Sequence, residues 1–236
     1  PEHQISSAIV ENPYPGVSMW RTMMLVKEDL MDFPIIVDVM KAFADEKHEY
    51  DMVFHYKGDP IEYLFPYQAN TTGLKPLGSD YGYQHMWNLA EGEVNDGLAG
   101  ITLQKENRFY TVVSEITNPT TCHLIQTGAN DPEFNIVHDK ALLYRTSGDK
   151  GFSMVSVIMP HGSFDAVAER TVNSYHNIKN ISTINSDDCH AAVVVIEFSN
   201  SDKIIELMLS DHNGHHVIKE DGTVYEWEGF WKYNLK

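Results

Sequence analysis

Along the chain, apolar side chains recur at every second position or in short runs, and no stretch longer than about ten residues keeps a helical period. This pattern predicts an all-β protein. Candidate strands run through Trp20–Val26, Pro34–Met40, Glu49–His55, Ile61–Pro66, His85–Glu91, Ala99–Gln104, Arg108–Ser114, Thr121–Gln126, Val137–Tyr144, Phe152–Met159, Ala191–Phe198, Lys203–Leu209, His215–Lys219, Thr223–Trp227 and Phe230–Asn234. Between them stand turn formers such as Lys57-Gly58-Asp59-Pro60, Gly128-Ala129-Asn130-Asp131-Pro132 and Ser147-Gly148-Asp149. Asp221-Gly222, between Val217-Ile218 and Val224-Tyr225, reads as a two-residue hairpin turn because both positions of such a turn need positive φ. The last forty or so residues are therefore expected to form a meander. The runs Val193–Phe198 and Ile204–Leu209 are nearly continuously apolar, which predicts strands covered on both faces. About 15 strands do not stay comfortably in one twisted sheet, so the expected fold is a large antiparallel β-sandwich of two packed sheets. No repeat or linker divides residues 1–236, and a single β-sandwich domain is expected.

Composition agrees with a folded domain: hydrophobic residues make up 42% and charged residues 22%. The net charge of −17 argues against a nucleic acid or an anionic membrane as partner, since both require a basic footprint. It does not decide the potential at any one site, because screening over about 8 Å at physiological salt isolates distant carboxylates. Cys122 and Cys189 are too few for a disulfide framework, and whether they pair is left open. No window approaches the ~18 consecutive apolar residues of a membrane span, and the first residues lack the charged and apolar regions of a signal peptide. The chain starts with Pro1, from which a processed chain or a piece of a longer one is expected.

Candidate chemistry is sparse. Asp51 and His55 share a parity in an extended strand and His48 does not, which weakens a metal set there. Asp211, His212, His215 and His216 flank Gly214, where a loop could gather zinc ligands, against the plainer reading of a solvated turn. No metal site is expected in this chain. Nucleophile elbow, Walker loop and dinucleotide fingerprint are missing. More specific is Val157–Arg170, an apolar strand ending at Pro160 and leading into a loop with His161, Asp165, Glu169 and Arg170. Two aromatic stretches, Tyr81–Trp87 and Tyr225–Trp231, could stack on sugar rings or serve the core.

Several segments together resemble the C-terminal β domain of the family 17 polysaccharide lyases, oligoalginate lyases of the heparinase II/III-like group. They are Pro15-Gly16-Val17 with Arg21-Thr22, Ile36-Val37-Asp38-Val39, His48-Glu49-Tyr50-Asp51 with Phe54–Gly58, and Gly82–Trp87. Gly128–Pro132 with Phe134-Asn135, and Pro160-His161-Gly162 with Glu169, complete the set in the family's order. The resemblance implies a helical (α/α) toroid N-terminal to the sandwich, acting on a uronate polysaccharide or oligosaccharide by β-elimination. Such chemistry needs a group neutralising the uronate carboxylate, a base for the C5 proton and an acid for the departing O4. In the family those groups, and a zinc site, lie upstream of the segments matched here. The chain is therefore expected to lack independent catalysis, to carry no cofactor, and to brace the toroid while closing one side of the substrate cleft. Glu169 is carried over as a substrate-binding residue, with His161 and Arg170 added from the same loop; Met159 departs from an acidic residue in the family pattern. A periplasmic or extracellular location is implied by a polysaccharide substrate. The alternatives are a free-standing carbohydrate-binding or structural sandwich without catalysis, and a hydrolase whose two carboxylates face each other at roughly 5–10 Å.

Overall fold

A computed structural model describes residues 3–128 and 138–236. The turn at Gly128–Pro132, all but its first residue, the Phe134-Asn135 match and the predicted strand start at Val137 lie outside the described residues. Among the described residues the regular structure is strand, apart from one 3-10 turn at Tyr83–His85.

A seven-stranded sheet has the order β1 (Gln4–Tyr14), β2 (Val17–Val26), β3 (Ile35–Ala44), β13 (Gly151–His161), β10 (Arg108–Ile116), β9 (Gly97–Lys105) and β5 (Asp59–Tyr63). A six-stranded sheet comprises β4 (His48–Tyr56), β12 (Lys140–Gly148), β11 (Thr120–Thr127), β8 (Met86–Val94) and β6 (Gln68–Ala69), with β7 (Lys75–Pro76) also paired to β8. A four-stranded sheet follows, β16 (Ile178–Asn185), β17 (Ala191–Phe198), β18 (Ile204–Ser210) and β21 (Trp231–Leu235). Two small hairpins, β14 (Ser163–Asp165) with β15 (Arg170–Val172) and β19 (His215–Glu220) with β20 (Thr223–Glu228), complete the chain. The pairings are antiparallel throughout.

The antiparallel sandwich expected from the pattern is present, with more layers than two. One face of the seven-stranded sheet (Met40, Ala99, Ile101, Val112, Met154) packs on Cys122, Leu124, Leu142 and Tyr144 of the six-stranded sheet. Its other face (Trp20, Val37, Val39, Val113, Val157) packs on Ile181, Val194, Ile196, Ile205 and Leu207 of the four-stranded sheet. The four-stranded sheet is covered in turn on its far side, where Val193 and Met208 meet Ile218 and Trp227 of the β19–β20 hairpin. This explains the continuous apolar runs of β17 and β18, each covered on both faces. Burying one such Val, Ile or Leu contributes roughly 1.5–3 kcal/mol, so the three interfaces carry the fold.

The hairpin turn forms as the sequence indicates: Glu220 pairs Thr223, with Asp221 at φ 46° and Gly222 at φ 80°. The expected meander does not, because β19–β20 folds over the sheet and β21 returns to pair with β18. Two long strands have no counterpart in the sequence pattern. β1 is an edge strand exposed along almost its whole length and so shows no apolar alternation. β16 carries Ile178, Ile181 and Ile184 at every third position, and a bulge between Ile178 and Asn180 turns both Ile178 and Ile181 into the core.

Candidate functional site

Strand β13 leaves the seven-stranded sheet at Met159-Pro160-His161 and turns at Gly162 into the β14–β15 hairpin. Gly162 has φ +55°, and a Cβ there would lie 2.2 Å from the Asn173 carbonyl oxygen, so both conformation and space require glycine. The hairpin turn is organised by Asp165, whose Oδ1 accepts the backbone N–H of Val167 at 2.9 Å and of Ala168 at 3.1 Å. Glu169 takes φ 49° and Arg170 pairs with Asp165 across the strands. Both are exposed, and among the described residues neither forms an ion pair.

His161 sits differently. It is 6% exposed, lies against the Phe109 ring, and has both ring nitrogens occupied. Nδ1 donates to the Asn173 carbonyl at 2.8 Å, and Nε2 lies 2.8 Å from Thr111 Oγ1. Behind Thr111 a buried row continues, Thr111 to Thr102 at 2.9 Å and Thr102 to Glu62 Oε2 at 3.4 Å. A carbonyl only accepts, so Nδ1 carries a proton in every state and Nε2 is the titrating atom. With Nε2 bare, Thr111 donates to it and Thr102 donates to Thr111. With Nε2 protonated, every donor turns round and Thr102 donates to Glu62. Burial pushes the His161 imidazole below its ordinary value, while the Asn173 carbonyl, Glu62 and Asp32 work the other way. His161 thus joins the two ends of the hairpin to the sheet, with both ring nitrogens hydrogen-bonded.

A cleft of ≈ 480 Å³ opens beside this point. Its walls are the loop Leu30, Met31 and Asp32, the strand end Pro160 and His161, and the polar segment Asn173, Ser174, Tyr175 and Asn177 with Asn200. His176, half-buried between Tyr175 and Asn177, is also pushed down by desolvation, with Glu62 opposing and His161 adding to it. Asn177 Oδ1 and His176 Nδ1 are buried atoms without a protein hydrogen-bond partner. The row Glu62–Thr102–Thr111 went unnoticed in the sequence, although Thr102 and Thr111 stand as polar residues in otherwise apolar strands.

The other sequence candidates are occupied. Asp51 takes a bidentate ion pair from Arg145 at 2.9 and 2.7 Å and a 2.5 Å hydrogen bond from Tyr83, on the outer face of the six-stranded sheet. Burial first, and then that bond, push the Tyr83 phenol up to about 12. Asp211 is shared between His190 and His212, His216 bonds Ser210 at 3.0 Å, and His215 faces Glu226 at 2.8 Å. The His212 ring packs edge-on against His216 at 4.8 Å and lies 6.4 Å from His190, yet among the described residues no three His, Cys, Asp or Glu are grouped to hold a metal ion. Of the aromatic stretches, Trp87 Nε1 bonds the Gly128 carbonyl at 2.8 Å and Trp227 is core, whereas Tyr81, Phe230 and Trp231 are exposed. Cys122 is buried, Cys189 exposed, and both are free. Asp32 is the one carboxylate in the cleft wall, so a facing carboxylate pair is not found there.

A scan against protein-family profiles finds no match. Two curated proteins align over nearly the whole chain. The exo-oligoalginate lyase of Saccharophagus degradans is 30% identical over 234 residues, 97% of this chain and 32% of that protein. The alginate lyase of Stenotrophomonas maltophilia is 31% identical over 229 residues, 96% of this chain and 30% of that protein. The chain thus spans about a third of the length of these relatives. Among solved structures, a heparan sulfate lyase HepC mutant from Pedobacter heparinus covers 87% of the chain and 25% of its own, with a TM-score of 0.47 and 9% identity.

Proposed function

Because this chain is a domain-sized homologue of proteins named exo-oligoalginate lyase and alginate lyase, we propose that it is the C-terminal domain of a polysaccharide lyase. The parent would degrade alginate or oligoalginate by β-elimination. The observation that carries this reading is identity of 30–31% sustained over 96–97% of the chain. In the proposed arrangement the domain braces a helical toroid and closes one side of the substrate cleft. The exposed Glu169 and Arg170 reach the uronate chain from the hairpin, and His161 holds that hairpin in place. The base, the acid and the zinc are assigned to the part of the parent outside these residues. A periplasmic or extracellular location goes with a polymeric substrate.

The test compares this chain with its full-length parent on alginate oligomers, following the ultraviolet absorbance of unsaturated product. Activity in the parent alone is the expected result, and activity in the isolated chain would place catalytic groups within these residues. A second reading, a carbohydrate-binding sandwich without catalysis, draws on the amide- and hydroxyl-lined cleft and predicts sugar binding with no product from either form.

A further inference from the structure

Apart from His161 and Asp32, the polar groups lining the cleft beside β13 are neutral. Its wall presents the amides of Asn173, Asn177 and Asn200 and the hydroxyls of Ser174 and Tyr175, and includes neither lysine nor arginine. His161, which lines the cleft, has both nitrogens committed. Asp32 adds a negative charge to the rim. Asn177 Oδ1 is buried without a protein partner, and a buried acceptor in that state calls for a donor. A carboxylate could accept from the wall's amide N–H and hydroxyl groups but would find no lysine or arginine to offset Asp32; a sugar hydroxyl accepts from the same donors and can also donate to the wall's oxygens. Tyr175, 75% exposed at the rim, offers a ring face of the kind that lies against the C–H surface of a pyranose. The volume of ≈ 480 Å³ falls within the ~300–1,000 Å³ usual for small-molecule sites.

We propose that this cleft is a saccharide subsite that grips hydroxyl groups and excludes carboxylates, so that a sugar unit held there turns any carboxylate out of it. The choice of a uronate chain as the natural ligand rests on the lyase reading; the chemistry of the cleft does not.

The experiment titrates this chain, by NMR or calorimetry, with alginate oligomers and with the same oligomers after reduction of their carboxyl groups to alcohols. The reduced oligomers are expected to bind at least as tightly as the intact ones. Asn177→Leu is expected to weaken both by about tenfold, the equivalent of one lost hydrogen bond to a buried acceptor. Asn200→Ala, also in the cleft wall, provides a second variant should the first disturb the fold. The proposal is overturned if intact oligomers bind about tenfold more tightly than reduced ones, if neither variant alters binding, or if neither oligomer binds. An active parent whose C-terminal domain ignores reduced oligomers would sink this inference alone. A chain that binds them within an inactive parent would sink the lyase reading alone.

Discussion

Lys41 offers a stability experiment with a sign that intuition would reverse. The side chain is 1% exposed on β3, between Trp20 and Ser153 on the neighbouring strands. Its Nζ donates to the carbonyls of Cys189 at 2.9 Å and Ala191 at 3.2 Å, joining the seven-stranded sheet to the start of β17 in the four-stranded one. Desolvation pushes its ammonium down from 10.5 to about 8, although Asp211 and Asp188 favour the charge. That lowering corresponds to roughly 3 kcal/mol spent on keeping the charge buried. Lys41→Met keeps an unbranched stem and removes the charge. The lost hydrogen bonds cost about 1 kcal/mol, because Ala191 keeps the Ser186 N–H at 3.0 Å and Cys189 is exposed to water. The variant is expected to be more stable by about 2 kcal/mol at neutral pH. Below pH 8 the folded and unfolded wild type both carry the proton and the penalty is full. Between 8 and 10.5 the unfolded chain still binds it while the folded chain has released it, so wild-type stability rises with pH and the variant's advantage shrinks. Urea unfolding near pH 7 and again above pH 9 measures both effects. A variant no more stable than wild type at neutral pH, with a wild-type profile flat across that window, would refute the reasoning.

Other outcomes follow from single sites. Arg145→Met leaves the 8%-exposed Asp51 carboxylate with Tyr83 as its remaining partner and should cost about 3 kcal/mol in urea unfolding, whereas surface ion pairs such as Lys179–Glu197 should cost under about 1 kcal/mol. Asp51→Asn should bring the Tyr83 phenol down from about 12, read by tyrosinate absorbance. Burial lowers the imidazoles of His123, His161 and His176, so below pH 6.5 the unfolded chain takes up protons first and stability should fall as pH drops; Thr111→Val should alter that dependence at His161 alone. Gly162→Ala, with its Cβ 2.2 Å from the Asn173 oxygen, should loosen the β14–β15 hairpin and speed proteolysis between Ala166 and Arg170. Glu169→Ala should leave unfolding within about 0.5 kcal/mol of wild type, being exposed, while raising KM for oligoalginate in the full-length parent.

Alternation and turn chemistry along the sequence determined the strand class, the Asp221-Gly222 hairpin and the double-sided burial of β17 and β18, because each of these is decided within a few residues of chain. The loop after Pro160 was legible for the same reason: an apolar strand that stops at proline must hand over to something. What the sequence could not rank was the role of each residue in that loop. His161, Glu169 and Arg170 look alike as polar candidates, and only the packing of β13 against β10 gives His161 a threonine on one side and a carbonyl on the other while leaving the other two in solvent. The same holds for Asp51, whose partner Arg145 lies 94 residues away, and for Asp211, which His190 reaches from 21 residues away. The cleft itself is written nowhere in the sequence, since its walls come from residues 30–32, 159–161, 173–175, 177 and 200. Local conformational preference acts between neighbours in the chain and can be read there. Burial, pairing and the shape of a cavity are properties of which distant strands come to lie side by side, and only the assembled sheets decided them.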